Sequence, residues 1–321
     1  MARPPLSGAG FFSGVLNSWR QSPIRRGPSP GGPAPILAMN APEASPQLAP
    51  RHTPQDLAGW TRYFQLPEIP VLAETAAALE DLRANEDAVD ARMLADAISA
   101  DPLMTLKLLA YTAGVQRGRN QTEIETVTEA LVLIGITPFF RDFGPQPTIE
   151  QHLQGQPEAL QGLRDVIRRA HRAARFALGF AVHRFDHDAP VLHEAALLHD
   201  FAEMLLWLYA PQLALEIAAQ QKADPTLRSA SAQRALLGVP LAEIQHALMR
   251  AWRLPEMLVR ITDDRQERAT QVRNVMLAIR LARHTALGWD NPAVPDDLRD
   301  IAQLLNMAQG PTEALLRNLD D

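Results

Sequence analysis

The stretch "AALLHDFAEMLLWLY", residues 195–209, places a His–Asp doublet, His199 and Asp200, inside an almost wholly apolar run. An uncompensated buried carboxylate is costly, so Asp200 must meet a cation or a set of hydrogen-bond donors. A third group stands upstream. His171 lies among Leu163, Ile167, Ala170, Ala174 and Leu178, a stripe at helical spacing that puts it near the inward face of its helix. Two imidazoles and a carboxylate on neighbouring helices make half of a divalent-metal site, suited to Fe, Mn or Zn. They serve equally well as a buried hydrogen-bond network, and the residues alone leave both open.

Other ionisable groups say less. His183 and His187 are four apart, flanked by Asp186 and Asp188, a spacing that a metal accepts. Their segment closes a helix just before Pro190, which favours a solvated turn. His246 and His284 stand alone. Arg164, Arg168, Arg169, Arg172 and Arg175 crowd one helix. Such a row grips phosphates in some proteins. Here no aromatic residues interleave for stacking, so a solvated face with internal acidic partners is expected.

Several chemistries are excluded outright. With no cysteine, there is no disulfide, thiolate nucleophile or Cys-based zinc site. Glycine-cradled phosphate loops and a G-x-S-x-G elbow are absent from the sequence. No apolar run is long enough for a transmembrane helix, and a cytoplasmic location fits the composition. The net charge of −6 is unevenly spread. Residues 1–52 hold five arginines and one acid, while the rest holds 26 basic and 36 acidic residues. So acidic a body argues against specific nucleic-acid binding.

The elements that must carry the doublet are all helical, and no stretch alternates with period two. Residues 1–54 hold eleven of the 26 prolines and form a basic Pro/Gly/Ser-rich tail, expected to stay disordered. Within it, Phe11, Phe12, Val15, Leu16 and Trp19 would share one face of a short docking or membrane-surface helix, with tail composition or a start at Met39 as the alternative. From Thr53, a cap followed by Pro54, the pattern turns helical. Leu72, Ala76, Leu79 and Leu82 form a stripe. Asp101 caps a helix that buries Leu103, Leu106 and Leu109, and another apolar helix ends at Gly135. The "FGPQPT" and "LQGQPEA" stretches mark an internal boundary. Beyond it come a long helix at 158–185, a second at 190–209 buried all round, and shorter ones to the end. The expected fold is all-α, with a bundle over 55–148, a second helical part over 157–290 and a helical extension over 291–321.

These residues resemble a known family. "LPEIPVLAETAAALEDL", "LADAISADPLMTLKLLAYTAG" and "IETVTEALVLIGITPFFRDF" are similar to the opening helices of an HDOD domain. Residues 195–209 resemble its "AGLLHDIG" helix, and "LLGVPLAEIQHALMRAWRLPEMLVRIT" its later W-x-L-P segment. The resemblance covers about 66–285. It implies descent from HD-type metal phosphohydrolases, whose ligands are a His, a His–Asp doublet and a later Asp. By that resemblance His171 matches the first His, and His199 with Asp200 the doublet. Arg283 stands where the last Asp belongs, and Glu203 where catalytic relatives often carry Lys. Leu241 and Gln245 depart from the HDOD pattern itself, and no GYP segment is present.

Replacing a carboxylate by a guanidinium changes the local charge by about two units and repels a cation. Arg283 is therefore expected to reach Asp200, with no metal cofactor and no catalysis. The resemblance implies a bacterial regulatory module working through contacts with signalling proteins, with a homodimer also open. It links such modules to gene expression, motility or cyclic-dinucleotide responses. The rival is a metal-dependent phosphohydrolase or phosphodiesterase acting on a nucleotide, with His171, His199 and Asp200 as ligands.

Overall fold

The computed structural model describes residues 53–115, 124–224, 226–263 and 269–320. The apolar stretch at 11–19, Met39 and almost all of the Pro-rich tail lie outside the described residues. Among those described there is no strand. The only extended pairing among them is an isolated parallel bridge between Val71 and Thr148.

Helix α1 spans Leu57–Gln65. Its cap is Asp56, whose carboxylate accepts from Gly59 N at 2.7 Å, not Thr53 as expected. Asp caps as well as Thr, and a start at Leu57 puts Trp60 and Phe64 four apart on the buried face. Helices α2 (Ala73–Arg83), α3 (Ala91–Ile98), α4 (Pro102–Val115), α5 (Val127–Ile134) and α6 (Ile136–Asp142) follow. Each start has a local cause. Asp90 caps α3, and Thr126 with Glu129 forms a capping box on α5. Asp101 caps α4: its Oδ1 accepts from Leu103 N at 2.8 Å and Met104 N at 3.1 Å. Its Oδ2 accepts from Leu72 N at 2.7 Å, fixing the chain just before α2. Gly135, at φ 83°, makes the sharp corner between α5 and α6.

Two hydrophobic cores result. The smaller joins Leu79, Leu94, Ile98, Leu131 and Phe139 of this bundle. The larger gathers nearly everything downstream. Helix α4 is buried on nearly every side and serves both: Met104 and Leu108 enter the smaller core, Leu103, Leu106 and Leu109 the larger. Helix α1 belongs to the larger core, where the Trp60 indole N–H donates to Leu237 O at 3.0 Å. Grouping it with residues up to 148 by sequence proximity misses that tertiary placement.

After the short α7 (Ile149–His152), the 27-residue α8 (Pro157–His183) forms the axis of the larger part. Helices α9 (Ala189–Leu198), α10 (Phe201–Tyr209) and α15 (Thr270–His284) pack against it. Between α10 and α15 run α11 (Pro211–Ala223), α12 (Ser229–Leu237), α13 (Leu241–Trp252) and α14 (Glu256–Ile261). Helices α16 (Val294–Leu305) and α17 (Gln309–Asp320) close the chain, with Ile301 and Leu316 inside the larger core. The approach of α10 to α8 is close: a Cβ on Gly162 would stand 2.4 Å from the Trp207 ring.

One expected element is broken. The helix expected over 190–209 stops at Leu198 and restarts at Phe201, with Asp200 out of helical geometry at φ −109°, ψ 22°. The apolar pattern runs through the break because both flanks are buried, so periodicity carries no mark of it. The doublet thus sits on a corner, which lets the Asp200 side chain leave the helix pair sideways.

A buried carboxylate ties the two cores together. Glu194 of α9 accepts from Val127 N, at the start of α5, at 2.8 Å. Burial pushes its carboxyl up to about 8. A raised acid pKa stabilises the fold fully below the ordinary value of 4.5, and that contribution is lost as pH rises toward 8. The melting temperature should carry a downward slope between about pH 5 and pH 8 that Glu194→Gln removes; an unchanged slope in thermal melts would refute it. Replacing Asp101 by Ala should cost on the order of 2–3 kcal/mol in urea unfolding, since a cap and the Leu72 N–H both lose their acceptor.

Candidate functional site

Four helices meet at Asp200. The α9–α10 corner supplies His199 and Asp200, α10 supplies Glu203 one turn on, α8 supplies Arg169 and α15 supplies Arg283. Asp200 is 9% exposed, yet both its oxygens are engaged. Arg283 donates through Nη2 to Oδ1 at 2.7 Å. Arg169 donates through Nη2 and Nε to Oδ2 at 3.0 and 3.3 Å. The same Arg169 Nη2 donates to Glu203 Oε2 at 2.6 Å, so one guanidinium bridges two carboxylates. His199 Nδ1 lies 3.0 Å from Asp200 Oδ1. Burial pushes the Asp200 carboxyl up, but Arg283, Arg169 and the His199 hydrogen bond outweigh it and hold it well below the usual carboxylate range. Burial disfavours charge on Arg169 as well, and Glu203 and Asp200 reverse that, keeping its proton more tightly than usual.

His171 is not part of this cluster. It stands two residues from Arg169, roughly 200° around the helix. It faces the Ala100 carbonyl and His193, and no hydrogen bond or ion pair joins it to Asp200. Its Nε2 is buried without a partner among the described residues. Burial lowers its pKa, and burial together with the His171 charge lowers that of His193 to about 4. The helical stripe places His171 inward correctly, but the inward face of α8 is wide, and the side turned to the doublet belongs to Arg169. The sequence carried a usable signal for Arg169: an arginine three residues before Arg172 in an apolar-faced helix, opposite a carboxylate needing compensation.

The arginine row of α8 is paired throughout. Arg164 meets Glu150 at 3.0 Å, Arg168 meets Asp165 at 2.7 Å, and Arg172 and Arg175 meet Asp320 at 2.7 and 3.9 Å. His183 and His187 are exposed at the end of α8. His284 Nδ1 lies 2.6 Å from the buried Asp297, which also accepts from Arg280 Nε at 2.6 Å. Among the described residues, no three His, Asp or Glu side chains are grouped so as to hold a metal ion. No helix among them is long and apolar enough to cross a membrane.

A cavity of about 380 Å³ opens beside the doublet. Arg273, Arg280 and Arg283 line it from α15, joined by His199, His284 and Asp300.

This geometry stands in an all-α fold, with the doublet at a helical corner. The family model of the HDOD domain matches residues 69–267, more than half of the chain, and the protein belongs to that family. No curated protein sequence matches it. Among solved structures, it is similar to the MmoQ response regulator of Methylococcus capsulatus str. Bath. The two share 19% identity at a TM-score of 0.58, over 74% of this chain and 98% of that one. It is also similar to a virulence factor of Campylobacter jejuni, with 18% identity and a TM-score of 0.57 over 82% and 96% of the two chains. At these identities the likeness is one of fold.

The two guanidiniums on Asp200 differ in burial: 20% of the Arg169 side chain is exposed, against 50% for Arg283. Arg169→Met should cost about 3 kcal/mol, by stranding two carboxylates in a poorly solvated place. Arg283→Met should cost about 1 kcal/mol, because water reaches its end of the pair. Equal losses in chemical denaturation would contradict this ordering.

Proposed function

We propose that this protein is a non-catalytic regulatory module, acting in the bacterial cytoplasm through contacts with other signalling proteins. The observation that carries this is the state of Asp200. In an HD-type hydrolase, the doublet carboxylate gives its lone pairs to a divalent cation, which sharpens a bound water. Here both oxygens are given to arginines of the protein itself. The donor set does not fit a divalent ion: His171 faces another way, and two fixed positive charges stand within hydrogen-bond distance of the one central ligand. The cluster is thus a degenerate metal site, turned into a clamp that locks α8, α10 and α15 in one arrangement. Membership of the HDOD family supports a signalling role.

The rival, a metal-dependent phosphohydrolase, needs Asp200 free and a third ligand beside it. Elemental analysis of purified protein, grown with Fe, Mn and Zn supplied, separates the two. The expected content is well below stoichiometric and unchanged in Asp200→Ala, with no hydrolysis of a generic phosphodiester. Stoichiometric metal that Asp200→Ala abolishes would overturn the regulatory reading.

A further inference from the structure

The cavity beside the doublet has a chemistry of its own. Arg273, Arg280 and Arg283 stand at i, i+7 and i+10 of α15, three guanidiniums on one helix face. A guanidinium has five N–H donors in a fixed fork. Among the described residues, Arg283 donates once, to Asp200, and Arg273 once, to the neutral Gln303 at 2.7 Å. Arg280 donates to Asp297 and Asp300. Most of the donor capacity of Arg273 and Arg283 therefore remains for whatever enters the cavity. Among the described residues, Asp300 is the one carboxylate lining it, while Asp200 and Asp297 sit buried behind their arginines.

We propose that this cavity binds a small molecule through a diphosphate group, with Arg273 and Arg283 as its forks. Planar guanidiniums match phosphoryl oxygens two at a time, and spaced forks favour two linked phosphates over one. The volume exceeds a bare phosphate ion and falls within the range of small-ligand sites. Met276 and Leu277 offer an apolar wall to the rest of the ligand.

Arg283 is shared between the cavity and Asp200. A ligand that draws on Arg283 competes with Asp200 for it, and Arg169 keeps Asp200 compensated meanwhile. The contact between α15 and the α9–α10 corner thereby becomes ligand-dependent. This deepens the regulatory reading and rests on it: the ligand would set the state of the clamp that partners sense.

The test is calorimetric titration of the full chain at low ionic strength with two probes, pyrophosphate and ADP. Both should bind saturably, and Arg273→Gln and Arg283→Gln should each weaken binding by about tenfold or more. ADP binding tighter than pyrophosphate supports the site with a nucleoside on the apolar wall; equal affinities support it with the diphosphate as sole handle. Arg164→Gln, an exposed arginine of α8 outside the cavity, should bind as the wild type does. No saturation with either probe up to about 1 mM overturns the proposal, as does equal weakening by Arg164→Gln. Arg273 makes no contact with Asp200, so its variant stays informative should Arg283→Gln fold poorly. Failure here leaves the metal analysis of the regulatory reading unaffected, so the two fail separately.

Discussion

A single carboxylate, buried where four helices meet, constrains much of this molecule. Asp200 is buried away from water, and its charge survives because Arg169 and Arg283 reach it from two different helices. The desolvation of such a cluster is expensive, and a well-packed apolar replacement would hold the helices as firmly. In the observed placement of α8, α10 and α15, Asp200, Glu203 and both guanidiniums are satisfied at once. The helix break at Asp200 belongs to the same corner, with Asp200 out of helical geometry between α9 and α10.

The surroundings serve that placement. Helix α8 runs the length of the larger core, and its arginines reach acids on several other elements. At its far side α17 is held by Asp320, which accepts from Arg172 at 2.7 Å and from the Trp289 indole at 3.1 Å. Arg172 also donates to Thr285 at the end of α15. The clamp at Asp200 and this second network both connect α8 to the last turn of α15. The cavity opens along the same helix, so its arginines are positioned by contacts on two sides.

Much of this organisation was legible from residue types. The Asp101 cap, the helix end at Gly135 and the all-helical pattern follow from local chemistry that the fold leaves intact. The pairing of the α8 arginines with acids follows from charge balance in an acidic chain. No hydrogen bond or ion pair joins His171 to the doublet, and the reason is angular. Helical spacing says that a residue faces inward, but α8 is surrounded by several helices, and inward covers both His193 and Asp200. Two residues along the helix exchange one neighbour for the other, and family patterns with soft motifs do not settle a shift of two.

The sequence by itself determined the all-helical pattern, the Asp101 cap and the need for Asp200 to meet a positive charge, because each rests on interactions within a few residues or on the cost of burying a charge. The expected contact of Arg283 with Asp200 is met, and only the tertiary structure decided that Arg169 joins it, that Asp200 stands at a corner, and that α15 turns three arginines into one cavity. Those depend on helix rotation and packing between residues far apart in sequence, such as Arg169 with Asp200, which no local pattern encodes.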